Sequence, residues 1–216
     1  MSPSLSIRAS ALVDEVFQRL SVPLYFRTDL SLDEQVRQRG KPLPYLTITK
    51  TLIKEFSFKT IVEIGSMREP MIHALTTFHA PCCNDGHSTL HLASTGAELF
   101  TVDVNPRSAE ILAANGKDYP NLHIATGDGI AYLQGFKRPI DVLYLDAWDV
   151  VAGTDYAEKH LEAYSVAKAY LSPTCLVQID DTDLMNGGKG RLVIPQMIRD
   201  GFTLITWGRQ AILARD

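Results

Sequence analysis

The chain has 216 residues, of which 45% are hydrophobic and 21% are charged. This length suits one large domain with its own hydrophobic core, and this composition excludes disordered and low-complexity chains. Acidic residues outnumber basic ones, for a formal net charge of -4. That balance argues against nucleic acid as a partner, because binding the phosphate backbone requires an excess of cations.

The first 58 residues show three helical patterns, at about 8–20, 31–39 and 46–56, joined by segments that contain proline. They predict a helical N-terminal cap over residues 1–58, which covers a domain formed by residues 59–216. These helices are candidate contacts for a partner subunit or for the substrate, so a homo-oligomer is one of the expected states.

From Lys59 onward, short apolar runs alternate with longer amphipathic segments. Such runs are typical of parallel strands buried on both faces, and the segments between them are typical of helices. The predicted strands are TIVEI (60–64), ELFTVDV (98–104), LHIAT (122–126), DVLYLD (141–146) and TCLVQID (174–180). The predicted helices are Arg107–Gly116, Tyr156–Leu171 and Gly190–Asp200. This alternation predicts βαβ units and a doubly wound α/β sheet.

The last 15 residues contain two apolar runs, FTLITW (202–207) and QAILA (210–214), separated only by Gly208 and Arg209. A connection this short cannot hold a crossover helix, so the two runs must pair antiparallel as a hairpin at the sheet's edge. The complete pattern therefore predicts a mostly parallel, seven-stranded sheet that ends in an antiparallel hairpin.

Neither the apolar runs nor the cysteines indicate a membrane or an oxidising environment. No run of 18 apolar residues is present, and the N-terminal segment lacks the continuous apolar stretch of a signal peptide. Two of the three cysteines are adjacent, at Cys82 and Cys83, which suits a reducing compartment better than a disulfide framework. We expect a cytoplasmic protein with no membrane association.

Acidic residues follow all five predicted parallel strands, close to the point where each strand ends. Ligands of open α/β sheets bind beyond the carboxyl ends of the strands, so these acids predict one shared ligand site. The segments concerned are Glu63-Ile64-Gly65-Ser66, Asp103, Gly127-Asp128-Gly129, Asp146-Ala147-Trp148-Asp149 and Asp180-Asp181-Thr182-Asp183.

The first of these segments lacks the G-x-G-x-x-G pattern of dinucleotide-binding folds. Glu63 and Gly65 after strand one, Asp103 after strand two and Gly127-Asp128 after strand three resemble the class I S-adenosylmethionine-dependent methyltransferases, as does the terminal hairpin. The resemblance covers roughly residues 58–216 and implies a Rossmann-like methyltransferase fold with S-adenosylmethionine as cofactor. It assigns cofactor binding to Glu63, Gly65, Ser66, Gly86, Ser88, Asp103, Gly127 and Asp128.

The physical logic of these positions does not depend on the family. Glycine lets the backbone approach a ligand, and a carboxylate at a strand end accepts two hydroxyl hydrogen bonds, as the ribose of the cofactor would offer. The alternative for Asp103 is a helix cap beside Asn105, and the alternative for Asp128 is a turn or N-cap acid.

The chain departs from that family between Gly65 and Gly86, which stand 21 residues apart. Residues 67–83 look inserted, and we interpret them as a loop that closes over the cofactor or the substrate. Zinc would accept several side chains of this region, but no C-x2-C pair is present and we expect no zinc. Those side chains are His73, His79, Cys82, Cys83 and His87.

Two further segments, Leu145-Asp146-Ala147-Trp148 and Ile179-Asp180-Asp181-Thr182, look like the metal segments of cation-dependent O-methyltransferases. The Asp-Asp pair is nearer to the sugar type than to the catechol type. The resemblance implies a Mg2+ ion on Asp146, Asp180 and Asp181, where it would bind the acceptor and lower the pKa of its hydroxyl. The alternative is that these acids are solvated loop residues or helix caps in a metal-independent enzyme.

Two residues are candidates for the general base. Catechol-type enzymes carry a lysine three residues after the first metal aspartate, where this chain has Asp149. Lys189, in a glycine-rich segment behind the second metal segment, is the other candidate. The alternative for Asp149 is an acid of a surface loop, and the alternative for Lys189 is a flexible glycine loop.

The sequence therefore predicts methyl transfer from S-adenosylmethionine to a hydroxyl of a small molecule, assisted by Mg2+. The alternatives are a metal-independent methyltransferase and a regulatory or assembly subunit that binds the cofactor without catalysis. An aminopropyl transferase would bring a strand-rich N-terminal domain, and a nucleotide-sugar oxidoreductase would bring the glycine fingerprint. The sequence shows neither of these features.

Overall fold

The computed structural model describes residues 3–20, 42–70 and 87–216. Its strands are β1 (Thr60–Ile64), β2 (Glu98–Asp103), β3 (Leu122–Thr126), β4 (Ile140–Leu145), β5 (Leu171–Ile179), β6 (Thr203–Trp207) and β7 (Ala211–Arg215). The described α-helices are α1 (Leu5–Leu20), α2 (Leu43–Glu55), α3 (Ser88–Ala93), α4 (Pro106–Asn115), α5 (Gly129–Gly135), α6 (Tyr156–Ala167) and α7 (Val193–Arg199). In the described part of the chain, short 3-10 helices span Lys168–Tyr170 and Gly188–Gly190. None of the described helices is long and apolar enough to cross a membrane.

The seven strands within the described residues belong to one sheet, in the order β3-β2-β1-β4-β5-β7-β6. Strands β1 to β5 pair in parallel, whereas β7 pairs antiparallel with both β5 and β6. The predicted fold class, a mostly parallel seven-stranded sheet with an antiparallel C-terminal hairpin, is confirmed. Within the hairpin β6 is the edge strand, since β7 lies between it and β5.

The element boundaries differ from prediction by a few residues at many ends, and the largest differences concern β5, α6 and α5. Strand β5 starts at Leu171, three residues before the predicted start, and helix α6 ends at Ala167 because a 3-10 turn follows it. The helix over Gly129–Gly135 was not predicted, since it has only 7 residues and a glycine at each end. The predicted helix at 31–39 lies outside the described residues.

Helices cover both faces of the sheet, and each face has its own apolar core. On one face α1, α2 and α3 share a core with β1, β2, β4, β5 and β7, which includes Val16, Ile48, Ile61, Val142 and Ile212. On the other face α5, α6 and α7 pack against the opposite side chains of the strands, such as Val62, Leu143 and Val177. The N-terminal helices α1 and α2 thus complete the same core as the central strands.

At the amino ends of the strands, Asp141 links three elements. Its Oδ2 accepts hydrogen bonds from the backbone N–H groups of Lys59 (2.7 Å) and Thr60 (3.0 Å), and its Oδ1 accepts one from Ser172 Oγ (2.6 Å). The carboxylate therefore joins β4 to the start of β1 and to β5, at the edge opposite the predicted ligand site.

Replacing Asp141 with alanine should lower the free energy of unfolding by about 1–2 kcal/mol, because two backbone donors and one hydroxyl lose a charged acceptor. Urea unfolding followed by circular dichroism measures this loss. Asp118→Ala, at an exposed position, is the control and should have little effect. Equal free energies of unfolding for the two variants would show that the contacts of Asp141 do not stabilise the fold.

Candidate active site

A cleft of about 520 Å³ opens at the carboxyl ends of β1 to β4. This volume is typical of a pocket for a small molecule or cofactor. The predicted cofactor residues Gly65, Ser66, Asp103, Gly127 and Asp128 all line it, as do Asp146 and Asp149. Gly86 lies outside the described residues, together with His73, His79, Cys82 and Cys83.

Gly65 makes the turn after β1 and has a φ of +90°, a conformation that strongly favours glycine. A Cβ at this position would come within 2.6 Å of the Asp146 carbonyl oxygen, so the loops after β1 and β4 are in direct contact. The backbone N–H of Asp146 donates to the Ile64 carbonyl at 2.8 Å. Sheet pairing therefore continues past the strand ends and fixes Asp146 beside the cleft.

Asp103 and Asp128 face the cleft from β2 and from the loop after β3. Asp103 accepts backbone hydrogen bonds from Ser66 at Oδ2 (3.1 Å) and from Asn105 at Oδ1 (2.8 Å). Each carboxylate oxygen can accept a further hydrogen bond, so the anchored side chain remains able to bind hydroxyl groups. Asp128 Oδ1 accepts from Ala131 N (2.8 Å) and caps α5, which was the alternative interpretation of this residue.

Glu63 and Ser88 are buried, and neither of them is a lining residue of the cleft. Ser88 Oγ donates to Glu63 Oε1 and Thr101 Oγ1 donates to Glu63 Oε2, both at 2.8 Å. Burial raises the pKa of Glu63 to about 8, although hydrogen bonds with Thr89, Thr101 and Ser88 act to lower it. These contacts tie β1, β2 and α3 together, a structural role that the sequence pattern did not indicate.

The carboxylates of Asp146, Asp180 and Asp181 converge at the ends of β4 and β5. One oxygen of each lies within 4.8 Å of the others, the only such group among the described residues. Asp180 N donates to the Leu145 carbonyl at 3.0 Å, which continues the pairing of β4 and β5. Asp181 adopts a φ of +51°, an uncommon conformation for a residue with a side chain.

Two cationic side chains lie among these three carboxylates. Lys189, with 1% of its side chain exposed, contacts Asp146 Oδ1 at 2.7 Å and Asp181 Oδ2 at 3.1 Å. Arg209, with 8% exposed, contacts Asp180 Oδ2 at 3.3 Å and also forms an ion pair with Asp181. The acidic cluster is therefore a partly buried network of mixed charge.

The environment of Lys189 bears directly on its predicted role as a base. Burial alone would lower the pKa of its ammonium group, but the charges of Asp146, Asp181 and Asp180 raise that pKa well above its ordinary value. A lysine that stays protonated cannot accept a proton from a hydroxyl group. The structure therefore favours an electrostatic role for Lys189.

Asp149, the other candidate base, is exposed at the rim of the cleft. Its Oδ2 forms an ion pair with Arg68 Nη1 at 3.0 Å. The preceding residue, Trp148, has a φ of +51° and its ring contacts His160 edge-on, with 5.2 Å between ring centroids. Asp149 stays the predicted base, and the structure places it beside the cleft.

Sequence reasoning missed three residues of this network: Arg209, Gln210 and Tyr144. Gln210 Nε2 donates to Asp180 Oδ1 (2.8 Å) and to the Tyr144 hydroxyl (2.7 Å). Because β7 runs antiparallel beside β5, with Ala211 opposite Ile179, the turn before β7 lies next to Asp180. The available signal was the polar residues Arg209 and Gln210 at the start of the second run of the hairpin. Only the pairing of β5 with β7 shows that they lie next to Asp180.

No protein-family model and no curated protein matches the sequence. Solved structures do match it. The O-methyltransferase from Bacillus cereus in complex with SAH aligns with a TM-score of 0.56 at 15% identity, covering 95% of this chain and 91% of that one. The SAH-bound methyltransferase PaMTH1 from Podospora anserina gives 0.54 at 13% identity, with 99% and 88% covered. NSun6 from Pyrococcus horikoshii with SFG gives 0.58 at 15% identity, with 89% and 56% covered.

The chain has a methyltransferase fold. The expected resemblance is thus confirmed for the architecture, and in a methyltransferase fold the cleft beyond β1 to β4 stands at the ligand-binding edge of the sheet. At these identities the likeness establishes the fold alone, so the reaction has to be argued from the side chains of the site.

Gly65→Ala should destabilise the protein more than Gly96→Ala does. Both glycines have similar φ values, +90° and +85°, so alanine suffers similar backbone strain at either position. Only at position 65 would the added methyl group meet backbone atoms, since nothing lies within 4 Å of a Cβ at position 96. We expect a further loss of about 1–3 kcal/mol for Gly65→Ala in urea unfolding. Equal losses would contradict the close approach of the two loops.

The raised pKa of Glu63 predicts a pH dependence of stability. Between about pH 4.3, the ordinary pKa of glutamate, and about pH 8, the folded state keeps a proton that the unfolded state has lost. The contribution of Glu63 to the free energy of unfolding is therefore fully present below about pH 4.3 and is lost as the pH rises through about 8.

Glu63→Gln should remove this dependence, because glutamine stays neutral. Its stability relative to the wild type should increase across pH 5–8, by at most about 1.4 kcal/mol per pH unit, and level off above that. Urea unfolding at five pH values measures the difference, and Glu110→Gln, at an exposed position of α4, is the control. Parallel curves for the wild type and Glu63→Gln would show that burial does not keep this carboxyl protonated.

Proposed function

We propose that this protein transfers a methyl group from S-adenosylmethionine to an oxygen atom of a small molecule. The observation that carries the proposal is the cleft beyond β1 to β4, in which Gly65, Asp103 and Asp128 occupy successive strand ends of a methyltransferase fold. Two proteins with similar folds, from Bacillus cereus and Podospora anserina, are described with bound SAH, the demethylated cofactor.

The cleft offers groups that match the ribose and the adenine of the cofactor. The anchored carboxylate of Asp103 would accept hydrogen bonds from the ribose hydroxyls, and the Asp128 carboxylate would accept one from the adenine amino group. Gly65 keeps the first loop free of a side chain at its contact with the β4 loop. The methionine part would extend toward Ser66 and Asp146, on the side of the carboxylate cluster.

The reaction itself requires little covalent chemistry from the protein. The acceptor oxygen attacks the methyl carbon, a carbon–oxygen bond forms, and the carbon–sulfur bond breaks to leave a neutral thioether. The hydroxyl proton leaves with a base, for which Asp149 at the rim of the cleft is the candidate. The protein's main contribution would be to hold the oxygen in line with the methyl group.

A small-molecule acceptor fits the charges of the protein and the site. The chain carries a net charge of -4, and Asp103, Asp128, Asp146 and Asp149 all line the cleft, accompanied by Arg68 and Lys159. A site with this balance would repel a polyanion such as a nucleic acid.

Magnesium assistance, predicted from the sequence, requires that the three aspartates have oxygens available for an ion. The carboxylates are hard oxygen donors and converge within 4.8 Å, which suits Mg2+. However, five of their six oxygens already contact the nitrogen atoms of Lys189, Arg209 or Gln210. As arranged, the residues do not fit a bound Mg2+ ion, and the metal-independent alternative is the better supported one.

Titration calorimetry with SAH, in EDTA and in Mg2+, tests the cofactor assignment. Methyl transfer from S-adenosylmethionine with a labelled methyl group, to a panel of small molecules with hydroxyl groups, then tests the reaction. We expect SAH binding with and without EDTA. Absence of SAH binding would overturn the proposal, and binding without transfer to any acceptor would favour a non-catalytic, cofactor-binding subunit.

Asp103→Ala should weaken SAH binding by about 1.5–3 kcal/mol, the contribution of hydrogen bonds to a charged acceptor. This corresponds to a Kd roughly 10- to 150-fold higher, measurable by the same calorimetry. Asp118→Ala, which removes an exposed carboxylate elsewhere, should bind SAH like the wild type. Unchanged affinity in folded Asp103→Ala would exclude Asp103 from the ribose contact.

A further inference from the structure

Three carboxylates that meet in a partly buried site repel one another unless positive charge lies between them. In the cation-dependent enzymes that these segments resemble, a divalent ion would supply that charge. Here Lys189 and Arg209 contact all three carboxylates and together carry the same two positive charges as a Mg2+ ion. Lys189 and Arg209 therefore supply the positive charge that a divalent ion would supply.

Lys189 also has the contacts of a bridging group. Its Nζ bonds to Asp146 Oδ1 (2.7 Å), to the Asp146 carbonyl oxygen (3.1 Å) and to Asp181 Oδ2 (3.1 Å). An ammonium group has three N–H donors, so these three contacts can use all of them. The side chain thus bridges the loop after β4 and the loop after β5.

The backbone around Lys189 is built to hold it there. Its N–H donates to the Asp181 carbonyl at 3.3 Å, within the 3-10 turn Gly188–Gly190. Gly188 has a φ of +48°, and a Cβ at that position would overlap with the Asp181 carbonyl oxygen. Glycine at this position lets the lysine backbone pack directly against Asp181.

We infer that the Lys189 ammonium, supported by Arg209, takes the place of a divalent metal ion between the strand-end carboxylates. Lys189 is a positioning residue, since its donors are used within the cluster and it is not a lining residue of the cleft. Removing its charge should leave Asp146 and Asp181 as ligands for a metal ion. The functional meaning of a lysine in the place of a metal ion rests on the proposed function. The experiment that tests this replacement requires neither the cofactor nor an acceptor.

The test is a titration of the full-length protein with Mn2+, whose free concentration is followed by electron paramagnetic resonance. Lys189→Met keeps much of the side chain's bulk and removes its charge, and Lys189→Ala also opens space for an ion. We expect one Mn2+ site in at least one of these variants, with a Kd at least about tenfold lower than any site of the wild type. Mg2+ should raise the melting temperature of that variant and not that of the wild type.

Two controls separate this effect from a general loss of positive charge. Lys168→Ala breaks another lysine–aspartate contact, between Lys168 Nζ and Asp200 Oδ1 at 2.7 Å, and should create no Mn2+ site. Adding Asp181→Ala to the Lys189 variant should abolish the new site.

Three results would overturn the inference. The wild type could bind Mn2+ as tightly as the variants, at a site lost in Asp181→Ala. The folded variants could bind no Mn2+. Both variants could fail to fold with or without Mg2+ and Mn2+, which would show that an ion cannot replace the ammonium group. A failure to bind SAH, by contrast, would overturn the proposed function and leave these results interpretable.

Discussion

The carboxyl ends of β4 and β5 bring Asp146, Asp180 and Asp181 together, and the arrangement of this side of the molecule follows from the need to neutralise them. Repulsion between buried carboxylates is severe unless cations and hydrogen-bond donors surround them. Lys189 and Arg209 supply the charge, and Gln210 supplies a neutral donor at 2.8 Å from Asp180 Oδ1. The glycine-rich turn before α7 and the hairpin turn before β7 are the two segments that deliver these side chains.

The hydrogen-bond network around the carboxylates continues into the core through buried amide and hydroxyl side chains. Thr49 Oγ1 donates to Gln178 Oε1, and Gln178 Nε2 donates to Gln210 Oε1, each at 2.6 Å. The Tyr45 hydroxyl accepts a hydrogen bond from Arg209 N at 3.1 Å. Helix α2 is therefore connected to the hairpin turn and, through it, to the carboxylate cluster. Buried polar networks stabilise a fold when their members are hydrogen-bonded, so these contacts help to hold α2 against the sheet.

The part of the cleft around Asp103 and Asp128 follows a different physical logic. There the side chains are held by backbone N–H groups: Asp103 by those of Ser66 and Asn105, and Asp128 by that of Ala131. These bonds position the carboxylates without neutralising them, so both remain acceptors for polar ligand groups. This part of the cleft meets the carboxylate cluster at Asp146, which lines the cleft and also contacts Lys189. A ligand in the cleft would thus lie next to a rigid network of fixed charge, the kind of preorganised environment that favours catalysis.

The sequence by itself determined the sheet and the edge at which the site lies. Apolar runs separated by helical segments specify buried parallel strands, and a two-residue gap excludes a crossover. The α/β class, the antiparallel hairpin and the shared edge of the strand-end acids therefore followed from local pattern, whereas the order of the strands came only with the tertiary structure. The sequence did not determine what those acids contact. Lys189 was interpreted as a candidate base or as part of a flexible glycine loop, and Arg209 as part of a turn. Their contacts were not evident because Asp146 lies 43 residues from Lys189, and Asp181 lies 28 residues from Arg209, along the chain. Likewise, Glu63 occupied a ligand-contact position in the pattern but is enclosed by hydroxyl groups from β2 and α3. Charge pairing and burial depend on distances between segments remote in sequence, and only the tertiary structure sets those distances.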